Sequence, residues 1–305
     1  MKRVNIIIPQ DRFSSFAYVG KVLAQLIIGL MDNNTPISHL SVTSMYITGA
    51  LNILIDDAYI TVNTPKVSDI AWIDTALEIN THRISRQCEI WVCSERDKQQ
   101  LERIGLKVSK VMPRPFNPLA YALRKKPMKK EYDVFICGWY REPDRKNFRY
   151  VKELVDKLGL KCVAITNYPL LNRYDFASVD DLTKYTLIKK SKFVLHLAGI
   201  EGFGMPPFEG MAMGIPTIYL DTPAVNEWAI GLKIPVESWV THTINLGLFN
   251  AVMKFAIPKM DEALEIVKYA LNMGKEEYED LSHKAMEKAD ELMGKVLATI
   301  HNIII

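Results

Sequence analysis

The 305-residue chain reads as an α/β protein built on parallel sheets, and three observations carry that reading. Short apolar runs alternate with runs of helical length, the pattern of a parallel sheet covered on both faces. A proline-rich break at residues 113–118, followed by the basic stretch RKKPMKK at 124–130, splits the alternation into two series. Hydrophobic residues make up 49% and charged residues 24%, ordinary for a globular protein long enough to bury two cores.

In the first series the strand-like runs are residues 4–8, 39–43, 51–55, 90–93 and 110–112. Asn5 interrupts the first of them and Pro9 ends it. Helices are expected over 14–30 and 95–104, the second opened by Ser94 with Asp97 three residues on, a capping-box spacing. Residues 113–118 (PRPFNP) can continue neither a helix nor a central strand. The second series has strands expected at 134–137, 162–165, 193–197 and 217–220, and helices at 147–158, 182–191 and 206–213. Beyond Val240 the pattern predicts helices over 244–255, 261–272 and 275–301. The expected organisation is a domain at 1–118, a basic linker at 119–131, a second domain at 132–274 and a closing helix at 275–305.

Charge and special residues remove several function classes. A net charge of +3 gives no electrostatic case for nucleic acid. Cys88, Cys93, Cys137 and Cys162 form no C-x-x-C pair, so reduced, buried thiols of a cytoplasmic protein are expected, with neither a disulfide framework nor a zinc site. The apolar start at residues 4–8 is too short for a signal peptide, and no run approaches the length of a membrane span. Two placements of residues 16–31 stay open: packed on a sheet, or peripheral on a membrane surface beside Arg12 and Lys21. There is no Walker A sequence, no G-x-G-x-x-G, no D-x-D and no H-E-x-x-H. His196, inside an apolar run, reads as a hydrogen-bonded core histidine.

The most informative stretch is EGFGMPPFEGMAMGIP at residues 201–216. Glu201 and Glu209 stand eight positions apart around Gly202 and Gly204, directly after the apolar run 193–197. Pro206 and Pro207 fall in the first turn of the expected helix, where the missing N–H costs nothing. Backbone amides at such a helix start, with the positive end of the helix dipole, favour a phosphate.

This motif strongly resembles the donor-site signature of the retaining glycosyltransferases of family 4. Residues 133–138 (DVFICG) followed by Arg145, Lys146 and Asn147 resemble that family's strand, glycine and basic clamp. Residues 221–227 (DTPAVNE) resemble its following acidic segment, and residues 94–105 its last helix entry in the N-terminal half. The resemblance covers residues 85–230 and implies the GT-B fold: two Rossmann-like α/β domains with parallel sheets facing a central cleft, and a C-terminal helix returning to the N-terminal domain. It implies sugar transfer from a nucleotide-diphosphate donor with retention of configuration, without a cofactor or metal.

By the same resemblance Glu201 lies by the donor sugar and Glu209 takes the ribose hydroxyls. Lys146 and Arg145 meet the diphosphate, and Gly138, Arg141, Gly202, Phe203, Gly204 and Glu227 complete the donor site. The family has an arginine soon after the glycine where this chain has Trp139 and Tyr140, so the choice between Arg141 and Arg145 stays open, as does a plain loop role for Glu227. The first 80 residues match poorly: the glycine-rich loop after the first strand is absent, with Ser14 and Ser15 as substitutes. His39, His82, Asn63 and Lys66 are the candidates for the acceptor side. The acceptor, whether glycan, lipid, protein or small molecule, is not legible. A nucleotide-sugar-binding protein without transfer and a GT-B epimerase are the alternatives.

Overall fold

The computed structural model describes residues 2–8, 15–30, 37–57, 69–74, 88–169, 173–174, 179–245 and 250–304. Ser14, Asn63, Lys66 and His82 lie outside the described residues. The chain divides into two compact units, one of Met1–Phe116, Asn245–Ala251 and Leu292–Ile305, the other of Asn117–Ile244 and Val252–Glu291.

In the first unit the elements are β1 (Lys2–Ile7), α1 (Ser15–Leu30), β2 (Ile37–Thr43), β3 (Leu51–Asp57), β4 (Ile70–Asp74), β5 (Glu89–Val92), α2 (Glu95–Arg103) and β6 (Val108–Val111). The six strands form one parallel sheet in the order β2-β1-β3-β4-β5-β6. Val4, Ile6, Ile53, Ile55, Trp72, Ile90 and Val92 are buried in it, the continuous apolar reading of strands covered on both faces. Helix α1 buries Val19, Val22, Leu23, Leu26 and Ile27, and among the described residues no helix is long and apolar enough to cross a membrane. Asn5 has a structural reason. Its Nδ2 donates to Asn52 Oδ1 and to Met45 O, both at 2.9 Å, while Asn52 bonds Ile47 and Ala50, so the pair holds the turn after β2. Ser94 Oγ accepts from Asp97 N at 3.1 Å, as the capping pattern predicts.

The second unit contains α3 (Leu119–Arg124), β7 (Tyr132–Cys137), α4 (Phe148–Leu158), β8 (Cys162–Ile165), β9 (Arg173–Tyr174), α5 (Asp181–Lys189), β10 (Ser191–His196), α6 (Met205–Ala212), β11 (Thr217–Leu220), a 3-10 turn (Val225–Glu227), β12 (Gly231–Ile234) and α7 (Met260–Leu271). Its sheet is parallel in the order β12-β11-β10-β7-β8-β9. Chain order runs one way from β7 and the other way from β10. In such sheets the crevice outside the carboxyl ends of the two strands at that reversal is where ligands bind. β13 (Val236–Asn245), β14 (Asn250–Pro258) and α8 (Lys275–Ile304) contribute residues to both units.

Two expectations need correction. Residues 119–131 are not a plain linker. Leu119–Arg124 is helical and buries Ala120 and Leu123, while Lys130 Nζ donates to the carbonyls of Lys189 and Ser191 at 3.0 and 2.8 Å. Lys189 Nζ in turn donates to Arg124 O at 3.0 Å and Met213 O at 3.2 Å. Lys130 of the basic run thus serves the carbonyl at the end of α5, and Lys189 of α5 serves those at the ends of α3 and α6, where partners are otherwise lacking. Of residues 244–255, the described ones, 244–245 and 250–255, are not helical but belong to β13 and β14, a two-stranded sheet. The β-branched Val240, Thr241, Thr243 and Ile244 favour a strand, and alternation along β14 buries Met253 and Phe255 with Lys254 exposed.

Candidate active site

The first half of the site grows from the end of β7. Cys137 closes the strand, Gly138 follows, and a Cβ at Gly138 would meet the Lys146 side chain at 3.6 Å. Asp144 opens α4, its two carboxylate oxygens each accepting at 3.1 Å from the amides of Phe148 and Arg149. Asn147 sits just before the helix with φ +58°, a conformation that asparagine tolerates better than most side chains. From there its Nδ2 donates to Leu197 O at 2.8 Å and Ala256 O at 2.9 Å. The turn carrying Arg145 and Lys146 is thereby tied to the end of β10 and to β14.

The second half grows from β10. Gly199 N donates to Arg145 O at 2.8 Å and Gly199 O accepts from Ala256 N at 3.0 Å. A Cβ at Gly199 would lie 2.3 Å from Ala256 O, so only glycine fits this approach. The loop then delivers Glu201, which is buried at 7% exposure. Lys146 Nζ bonds Glu201 Oε1, and Arg145 reaches Oε2 at 3.4 Å while donating to Ile200 O at 2.9 Å. Burial opposes the charge on Glu201, but Lys146 and then Arg145 outweigh it and hold the carboxyl well below the usual carboxylate range. His196 Nε2 faces Glu201 Oε1 at 3.3 Å, and Glu201 is the polar group it meets. Burial pushes its pKa down, so the imidazole is neutral.

Gly202, Phe203 and Gly204 are all buried, and Gly204, with φ +97°, turns the chain into α6. Glu209 lies inside that helix, beyond its first turn, and is 1% exposed. Lys184 Nζ donates to Glu209 Oε1 at 2.6 Å and Tyr185 OH at 3.2 Å. Cys137 lies within electrostatic reach of the Lys146–Glu201 and Lys184–Glu209 pairs, and burial pushes its thiol up to about 12, far from a nucleophile. Phe203 stacks on Trp228 with centroids 4.8 Å apart, and Phe208 meets both rings edge-on.

The residues expected at the site divide into those brought together and those left apart. Glu201, Lys146 and Arg145 are in direct contact, with Gly138 against Lys146. Arg141 is exposed, and no hydrogen bond or ion pair among the described residues joins it to this group. Glu227 is exposed on the 3-10 turn. Sequence reasoning missed Lys184, Tyr185, Gly199 and the tie made by Asn147. Lys184 carries no spacing signal, because its partner lies 25 residues away on another helix.

Solved glycosyltransferases share this architecture over nearly the whole chain. WaaG, a glycosyltransferase involved in lipopolysaccharide biosynthesis, superposes with a TM-score of 0.62 at 10% identity, over 99% of each chain. Sucrose-phosphate synthase from Thermosynechococcus elongatus gives 0.66 at 10% identity, over 99% of this chain and 98% of that one. Anabaena HepE in complex with UDP and glucose gives 0.58 at 12% identity, over 100% and 98%. The fold class these structures define is that of the GT-B glycosyltransferases.

Sequence relatives narrow the class. "Putative glycosyltransferase 41" of Sulfolobus islandicus filamentous virus (isolate Iceland/Hveragerdi) is 30% identical over 242 residues, 78% of this chain and 70% of the relative. "Putative glycosyltransferase 48" of the same virus is 30% identical over 234 residues, 73% and 72% of the two chains. The chain belongs to this family of glycosyltransferases. No protein-family model matches the sequence.

Proposed function

We propose that the chain transfers a sugar from a nucleotide-diphosphate donor to an acceptor, retaining anomeric configuration in the manner of family 4 and without a metal. The observation that carries this is the convergence of Lys146 and Arg145 on buried Glu201, at the strand-order reversal and beside the amide end of α6. HepE, similar in fold, was solved in complex with UDP and glucose, which supports the donor class. In this reading Lys146 and Arg145 leave Glu201 for the diphosphate oxygens, whose negative charge grows as the anomeric C–O bond breaks. Glu201 then faces the positive charge developing on the sugar, and Glu209, oriented by Lys184 and Tyr185, meets the ribose. The acceptor hydroxyl attacks the face the diphosphate leaves, and its proton goes to the departing phosphate oxygen. Two cationic side chains and a helix end supply the neutralisation that a metal supplies elsewhere.

The test is thermal denaturation of wild type and Lys146→Met against a panel of nucleotide-diphosphate sugars differing in base and hexose. A ligand at 100 times its Kd adds about 2.7 kcal/mol to the folded state. One base and sugar should raise the wild-type midpoint and leave the variant unmoved. A well-folded wild type that responds to none of them refutes the donor assignment.

A further inference from the structure

Trp139, two residues past the end of β7, is 52% exposed on a backbone that is held in place. Gly138 N donates to Ile165 O at 3.1 Å, and Asn167 holds Tyr140 from both sides. Asn167 Oδ1 accepts from Tyr140 N at 2.5 Å and its Nδ2 donates to Tyr140 O at 2.8 Å. The ladder between β7 and β8 thus runs on through this segment, and with it the alternation of faces. Val134, Ile136 and Tyr140 pack with Phe148 on the α4 face, and a Cβ at Gly138 would meet Phe148 Cζ at 3.3 Å. Cys137 and Trp139 therefore point to the opposite face. There Cys137 lies within electrostatic reach of both the Lys184–Glu209 and the Lys146–Glu201 pairs. The indole, about 7 Å further along the same face, stands over the gap between the two carboxylates.

That position selects what the ring can meet. In the donor reading the gap holds the diphosphate, between a sugar at Glu201 and a ribose at Glu209. The face of an indole is the negative side of its quadrupole, so it does not turn to phosphate oxygens. The base is attached to the far side of the ribose from the phosphates, which takes it beyond Glu209 and away from the gap. The acceptor does come to the gap, because its hydroxyl attacks the face that the diphosphate leaves and gives its proton to the departing oxygen. An apolar chain would find a single indole there, followed by the exposed charges of Arg141 and Glu142. A pyranose suits both features: one face of C–H bonds lies on the ring, and the hydroxyls at its rim meet the charged groups. Resting on the transfer reading above, retention included, we propose that Trp139 is the platform for a sugar ring of the acceptor. The acceptor is then a carbohydrate, and Trp139 is a specificity-determining residue for it.

Transfer kinetics with chosen acceptors test this, using the nucleotide sugar that wild type binds by isothermal titration. The acceptors are the methyl α- and β-pyranosides of glucose, mannose, galactose and N-acetylglucosamine. Farnesol and a peptide of serine and threonine are the non-sugar alcohols. Wild type is compared with Trp139→Phe and Trp139→Ala, each first shown to keep the wild-type melting temperature within a few degrees; Trp139→Leu replaces the alanine variant if that one melts early. Wild type should transfer to at least one glycoside. For that glycoside KM should rise at least tenfold in Trp139→Ala and less in Trp139→Phe, which keeps a ring, while kcat changes less than threefold. The Kd of the donor should stay within twofold in both variants. An unchanged KM overturns the platform. So does an equal loss of donor affinity, which would put the indole on the donor. A wild type that binds the donor but transfers only to the non-sugar alcohols, or to nothing, overturns it as well. A product of inverted anomeric configuration removes the placement beside the diphosphate and the inference with it. A wild type that binds no nucleotide sugar refutes the donor reading itself.

Discussion

Gly199→Ala is the perturbation whose cost the structure allows to be worked out. The added Cβ would stand 2.3 Å from Ala256 O, 2.8 Å from Ala256 N and 3.1 Å from Phe255 Cβ. Two of the three are main-chain atoms, so no side-chain rotation relieves the overlap, and the loop must move off β14 by roughly 1 Å to reach ordinary contact distance. Overpacking of this kind costs about 1–3 kcal/mol. The movement also stretches the Ala256 N to Gly199 O bond, 3.0 Å, and disturbs the 2.9 Å bond from Asn147 to Ala256 O. Each contributes about 0.5–1.5 kcal/mol. A total of about 2–6 kcal/mol corresponds to a melting temperature lower by roughly 4–24 °C for a unit of this size. Differential scanning calorimetry reads it, with Gly294→Ala as control: Gly294 lies in α8 with nothing within 4 Å of a built Cβ. There alanine should stabilise by up to about 1 kcal/mol through helix propensity. Glu201 is two residues from Gly199, so the same variant should weaken nucleotide-sugar binding at least tenfold. A Gly199→Ala midpoint within 2 °C of wild type would refute the close approach on which this reasoning stands.

Two further outcomes follow from ionisation. Glu201 keeps its charge in the folded state to a lower pH than in the unfolded chain, where a glutamate takes a proton near pH 4.3. Between those two values the unfolded state binds more protons, so this contribution is complete above about pH 5 and is lost as pH falls, at about 1.4 kcal/mol per unit. Urea midpoints from pH 7 to 3 should therefore fall more steeply for wild type than for Glu201→Gln; parallel curves would mean that the ion pair does not set the carboxyl. Lys130 is pushed down to about 8 by burial, with Lys189 adding repulsion. Its folded state releases a proton that the unfolded chain keeps up to about pH 10.4, so stability rises with pH across that window. The gain is at most about 3 kcal/mol, and the two carbonyls that accept from the ammonium reduce it. Wild type should gain on Lys130→Met between pH 8 and 10, and a flat difference would show that the carbonyls hold the proton throughout.

Local signals were enough where an element's own residues decide its state. Residues 162–165 and 217–220 are strands to the residue, because each is a short apolar run with turn or charged residues at its ends. Helix α2 begins where Ser94 caps it. Strand β4 was not visible: IAWID is five residues with no clean alternation, and what makes it a strand is its place between β3 and β5. The region 244–255 offers Ile244, Leu246, Leu248, Val252 and Phe255, a spacing that a helix and a strand pair can both use. The same division runs through the site. The association of Glu201 with Lys146, 55 residues apart, was legible only because both lie in motifs resembling a known family, and Lys184, outside any motif, was not. For His196 the neighbouring residues announced burial correctly, but its approach to Glu201 depends on the loop after β10, whose path sequence spacing does not specify.

The two cations of the site differ in what their loss would mean, and this decides how variants are read. Lys146 bonds Glu201 by its ammonium. Arg145 also donates to Ile200 O, and its backbone carbonyl accepts from Gly199 N, so it fixes the loop as well as charging the site. Removing the arginine side chain leaves a buried carbonyl without that donor and lets the loop move, which weakens binding even if the guanidinium never meets a phosphate. Removing the lysine ammonium leaves the loop's hydrogen bonds in place. Binding lost in Lys146→Met at unchanged loop stability therefore reports charge at the proposed donor site. The same loss in Arg145→Ala carries that meaning only if its melting temperature matches that of Lys146→Met.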